Sequence, residues 1–126
     1  MVFVDTDVMI WALRGNAKAD RLLLEMDGFS VAAVAYMELI QGVQDKAGLR
    51  QLKQTMRDWQ AQIVVINEAI SSRAIFLMEQ RLLSHGLLLG DALIAATAIE
   101  KGFPLMSANS KHFQGIEGLE LLPFKP

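Results

Sequence analysis

The stretch VFVDTDVMI, residues 2–10, sets two carboxylates, Asp5 and Asp7, directly behind a short β-branched and aromatic run. A run of this kind reads as a buried strand. Comparable runs recur at FSVAAV (29–34), IVVI (63–66), PLM (104–106) and LELL (119–122). Between them apolar residues are spaced by three and four, as in Leu22, Leu23, Met26 and in Ile70, Ala74, Leu77, Met78, which is the helical period. Short buried strands alternating with helices predict an α/β domain: a mainly parallel sheet of four to five strands, right-handed crossovers and flanking helices. Asn67 ahead of Glu68 predicts the N-cap of a helix over 68–84, which His85-Gly86 closes. Lys101-Gly102-Phe103-Pro104 closes the next helix in the same manner. No repeat, low-complexity tract or linker interrupts the pattern, so residues 1–126 read as a single domain.

Composition narrows the classes. Hydrophobic residues make up 52% of the chain and the mean hydropathy is +0.29, which argues against disorder and predicts some apolar surface kept for a partner. No apolar run approaches the roughly 18 residues that span a bilayer, and no secretory signal is visible, so no membrane partner and a cytoplasmic location are expected. Without cysteine there is neither a disulfide framework nor a thiolate zinc site. A formal charge of −2 is not that of a protein that coats nucleic acid. Action on a polyanion remains open, since a bound metal can supply positive charge locally.

In an open parallel sheet, ligands bind outside the carboxyl ends of the strands. Asp5 and Asp7 follow the first strand, Glu38 lies in the first turn or two of the helix after the second, and Asp91 opens the helix DALIAATAIEKG. Ser107 and Asn109 follow the fourth strand. Most other acids have a basic neighbour, as Asp20 has Arg21 and Asp58 has Arg57. Glu38 in VAAVAYMELI and Asp91 in LLLGDALIAA have none. Taken singly, Asp91 reads as an N-cap, Glu38 as a satisfied core or edge acid, and Asp5-Thr6-Asp7 as a turn. Together, uncompensated acids at one sheet edge repel and raise one another's pKa, and a divalent cation removes that cost. Oxygen donors suit Mg²⁺, with Mn²⁺ as a substitute, and such ions accept phosphate oxygens as further ligands.

The blocks VFVDTDVMIWAL, VAAVAYMELIQGV, LLLGDALIAATAIEKGFPLMSANSKHF and GLELLPF, in this order, resemble the PIN-domain ribonucleases, in particular the VapC-type toxins of toxin–antitoxin pairs. The resemblance implies a three-layer PIN-like fold and a Mg²⁺-dependent endoribonuclease that cleaves RNA by metal-activated water, with Asp5, Glu38 and Asp91 as metal ligands. It further implies a homodimer, inhibited by a small antitoxin protein lying across the active-site groove. Members often carry a fourth acid after strand four; MSANSKHF has none, and Asn109 is the residue expected in its place. An amide oxygen is a neutral ligand and would hold a second ion more weakly, so the expectation is either one ion or a second one brought in by the substrate phosphate. Asp7, Thr6, Ser107 and Asn109 then support the ligands, with Asp7 as an outer or water-mediated contact.

Lys46, Arg50, Lys53 and Arg57 recur at spacings of four, three and four and so line one helix face, either a contact for RNA or antitoxin or an ordinary solvated face. Lys111 and His112 are further candidates for phosphate contact, while His85 reads as a helix cap. Trp11, Trp59 and Tyr36 are expected in the core or a dimer interface rather than stacked on bases. Three alternatives compete. A PIN fold of weak catalysis would bind RNA or protein only. An aspartate-nucleophile phosphatase of the haloacid dehalogenase type would use Asp5 as nucleophile, but its later motifs occur here in the wrong order. A receiver domain would need an aspartate ending strand three, where this chain has Asn67.

Overall fold

The computed structural model describes residues 1–126. Five strands, β1 (Phe3–Val4), β2 (Phe29–Ala32), β3 (Ala61–Val64), β4 (Leu105–Ser107) and β5 (Leu121–Pro123), form one sheet in the order β3-β2-β1-β4-β5. Every pairing is parallel. The helices α1 (Thr6–Leu13) and α2 (Ala17–Glu25) connect β1 to β2, and α3 (Ala33–Gln41) with α4 (Lys46–Asp58) connects β2 to β3. Helices α5 (Glu68–His85) and α6 (Leu89–Lys101) return the chain to β4, on the far side of β1. The strand order therefore reverses between β1 and β4, and a crevice opens where the two connections leave in opposite directions.

Local chemistry explains most boundaries. Asn67 caps α5, its Oδ1 accepting from the Ile70 N–H at 2.9 Å. Gly86 and Gly102 end α5 and α6 in the left-handed conformation, with φ of 66° and 72°, which an L side chain adopts only under strain. One cluster of 28 buried residues forms the core, with Phe3, Val4, Phe29, Val31 and Leu105 of the inner strands at its centre. Trp59 is buried and its ring lies 6.1 Å from that of Phe29, whereas Trp11 is exposed. The small residues Ala92, Ala95, Ala96 and Ala98 let α6 sit close to its neighbours, and α5 packs along it.

Three expectations change. IVVI (63–66) is not a buried strand: β3 begins two residues earlier, ends at Val64 and forms the sheet edge, leaving Ile63 exposed with no strand beyond it and Val65 exposed after its end. FSVAAV ends as a strand at Ala32, and Ala33 already begins α3. Asp5-Thr6-Asp7 is not a free turn, since α1 begins at Thr6, immediately after Asp5.

Replacing Asn67 with Ala removes the acceptor at the start of α5 and is expected to cost about 1 kcal/mol. Chemical denaturation of the two proteins measures the difference, and equal midpoints would refute the assigned cap.

Candidate active site

The crevice between β1 and β4 is lined first by Asp5. Its N–H donates to Met106 O at 2.8 Å, which fixes the chain at the end of β1 beside β4. Asp5 is the N-cap of α1, Oδ1 accepting from the Thr6 N–H at 2.8 Å, and Oδ2 accepts from the Ser107 hydroxyl at 2.9 Å. The side chain is buried, with only 6% of the residue exposed. Asp7, in the first turn of α1, accepts from the Ala108 N–H at 3.1 Å and lies 3.4 Å from the same Ser107 hydroxyl. Ser107 thus stands between two carboxylates while accepting from the Asn109 N–H at 3.0 Å.

Glu38 reaches the crevice from α3. Its Oε1 accepts from the Thr6 hydroxyl at 2.8 Å, tying α3 to the start of α1. Its Oε2 approaches the backbone of Gly90 so closely that a Cβ there would stand 3.2 Å away. Asp91 follows Gly90 and is the third residue of α6, which begins at Leu89, two residues before the start expected at Asp91; the N-cap is Leu88, which offers no side-chain acceptor. The early acid in α6 therefore sits in the first turn, where the helix dipole favours negative charge. The Asp91 Oδ2 lies 3.2 Å from His112 Nδ1, and His112 Nε2 lies 3.3 Å from the Asn109 amide nitrogen. The His112 ring thus bridges Asp91 and Asn109.

Burial pushes the Asp5 carboxyl up from 3.8 to about 7, and the charge of Asp7 adds to it. Hydrogen bonds from Ser107 and Thr6 act the other way, and Asp91 adds a smaller upward push. Asp91 is raised too, chiefly by burial, with His112 opposing and Asp7 assisting the rise. Asp7 is thus the acid whose charge bears most on Asp5, a standing its expected role as an outer contact did not convey.

As placed, no three of these side chains stand close enough together to hold one ion. Each carboxylate instead rests on its own donor: Glu38 on Thr6, Asp91 on His112, Asp5 on Ser107. The donor chemistry still fits a hard divalent cation, because these are oxygen donors and no Lys or Arg pairs with them, His112 beside Asp91 being the one basic partner. Lys111 and His112 belong to a short 3₁₀ turn, Ser110–His112, at the rim of the crevice. Lys46, Arg50, Lys53 and Arg57 lie outside the crevice, on α4, all exposed. The Asp91–His112 contact and the Glu38–Gly90 approach were not foreseen; a glycine directly before an acid, in LLLGD, was the one local signal of the latter.

The sequence profile of the PIN domain matches residues 2–119. The chain belongs to the PIN-domain family. It is 35% identical over 124 residues to Ribonuclease VapC10 of Mycobacterium tuberculosis, covering 95% of this chain and 91% of that protein. A toxin–antitoxin complex from Klebsiella pneumoniae contains a chain 25% identical to it, with a TM-score of 0.75 and full coverage of both chains. The fold also matches VapBC-1 from nontypeable Haemophilus influenzae, at 22% identity, with a TM-score of 0.80 over 98% of each chain. Membership in this PIN family sets aside the phosphatase and receiver alternatives, and the parallel five-stranded sheet flanked by helices is the PIN-like arrangement.

Below about pH 4 Asp5 is protonated whether folded or unfolded; between about pH 4 and pH 7 only the folded chain keeps the proton, so this group makes stability fall as pH rises. Wild type should therefore lose thermal midpoint across that window more steeply than Asp5→Asn when both are melted in chelator, and a difference independent of pH would sink the assignment. Gly90→Ala should keep or raise the midpoint, since Ala favours helix by roughly 0.5–1 kcal/mol. It should at the same time displace Glu38 and weaken Mn²⁺ binding by calorimetry, on the order of tenfold; a lower midpoint with unchanged Mn²⁺ affinity would contradict this.

Proposed function

We propose that this PIN domain is an endoribonuclease of the VapC type, the toxin of a toxin–antitoxin pair. The observation that carries the reading is the buried, uncompensated Asp5 at the β1/β4 switch point, with Asp7 and Asp91 acting on it and Glu38 beside them. Its relatives' names, Ribonuclease VapC10 among them, support the substrate class. Asp5, Glu38 and Asp91 would hold one Mg²⁺, for which Mn²⁺ can substitute. Such an ion would supply positive charge for a phosphodiester and would make a water bound to it more acidic.

The chain's own residues prepare this chemistry. Thr6 orients Glu38, Ser107 orients Asp5 while Asp7 braces the Ser107–Ala108 backbone, and Asn109 turns His112 toward Asp91. Asn109 offers a neutral oxygen where a fourth carboxylate would add charge, which favours a single ion and keeps weak catalysis as the competing reading. Alongside the site runs a groove of about 500 Å³ lined by Glu38 with Ile10, Leu13, Leu39 and Leu52, of the size and mixed character that an antitoxin segment would fill. Complexes of toxin with antitoxin among the solved relatives support such a partner. A homodimer fits the exposed Phe76, Leu83, Leu88 and Leu89, and no helix is long and apolar enough to cross a membrane, in keeping with a cytoplasmic protein.

RNA cleavage by wild type and by Asp91→Asn, each with Mg²⁺ and with chelator, tests the reading. Only wild type with Mg²⁺ should cleave well, and Asp91→Asn should lose roughly 100-fold or more, since changes merely behind a ligand already cost 10–100-fold. Equal rates in all four samples would leave the weak-catalysis reading in possession.

A further inference from the structure

Helix α4 carries Lys46, Arg50, Lys53 and Arg57 within one narrow stripe, each one turn from the next, while Leu52 and Met56 on the other side are buried. All four cations are exposed. The close ion pairs of the molecule are Arg73 with Glu100 and His112 with Asp91, so none of the four is neutralised by a carboxylate. The one acid on the helix, Asp58, accepts from Gln54 at 2.9 Å, and Gln54 in turn accepts from Arg57 at 3.0 Å. This positive stripe stands on a chain whose formal charge is −2.

The stripe is joined to the site. Gln51 lines both the groove that contains Glu38 and a shallow depression of about 480 Å³ formed with Arg50, Lys53, Gln54 and Arg57. From this continuity we propose that α4 is the exit shelf for the RNA substrate, its cations binding successive phosphates of the strand that runs from the site past Gln51. The inference rests on the ribonuclease reading and gives it a substrate path. Two features favour RNA over an acidic protein segment. A stripe spanning twelve residues, about 16 Å, with a cation at every turn matches a backbone that carries a charge on every nucleotide. The depression is lined almost wholly by charged and amide side chains, as nucleic-acid interfaces are, and lacks the apolar centre a protein partner would bury.

The test measures binding of a labelled oligoribonucleotide of mixed sequence in chelator, where no cleavage occurs, across a sodium chloride series. Wild type is compared with the triple variant Arg50→Gln, Lys53→Gln, Arg57→Gln. Each phosphate that the variant no longer neutralises should reduce the slope of log affinity against log salt by about 0.7, so the variant should fall short by about 2. In parallel with Mg²⁺, its KM should rise with kcat little changed, and circular dichroism should show an intact fold. An unchanged salt slope overturns the shelf even if wild type cleaves RNA; if the variant instead loses affinity only for an acidic peptide, the surface belongs to a protein partner and the proposal fails. Wild type that cleaves nothing with Mg²⁺, whatever it binds, removes the ribonuclease reading instead. Wild type that binds no RNA in chelator overturns the shelf alone when cleavage persists.

Discussion

Ending a buried parallel strand in a carboxylate is the constraint around which this molecule is built. Asp5 follows β1, the middle strand of the sheet, and water reaches almost none of it. Because β1 is flanked by β2 and β4, the chain near Asp5 can be met from both sides, by α3 through Thr6 and by the end of β4 through Ser107. The same placement denies the carboxylate the solvent that would stabilise its charge, and Asp7 makes the matter worse. Isolated charge in such a place is unfavourable by far more than a hydrogen bond or two restores.

The arrangement manages that repulsion by separation. Each carboxylate is drawn to a donor on a different element: Thr6 on α1, Ser107 on β4, His112 in the turn beyond. Orientation is therefore settled while the carboxylates stay apart from one another. Burying them there still costs stability. Active sites commonly hold such locally unfavourable arrangements, sustained by the packing around them, and here the packing is the 28-residue core beneath the crevice.

What could be read in the sequence was mainly what is decided within a few residues. Asn67, Gly86 and Gly102 mark helix ends by their own side-chain or backbone chemistry, and the structure places them there. The alternation of strand and helix pointed to the α/β class because buried strands and helices have different apolar periods. The start of α6 lies two residues before Asp91 because its N-cap, Leu88, has no capping side chain and leaves no local mark. Exposure of Ile63 and Val65 depended on which strand lies at the sheet edge, a matter of topology that an apolar run does not report. The approach of the acids to one edge was legible from their positions after strands. Their individual partners were not, because Thr6 with Glu38 and Ser107 with Asp5 meet across 32 and 102 residues.

That last separation also governs when the site can exist during translation. Asp5, at the end of β1, leaves the ribosome 102 residues ahead of Ser107 in the neighbouring β4. Until then Asp5 has no strand beside it on that side and no hydroxyl to accept from. A nascent chain thus carries Asp5 and Asp7 long before it carries a crevice to hold them.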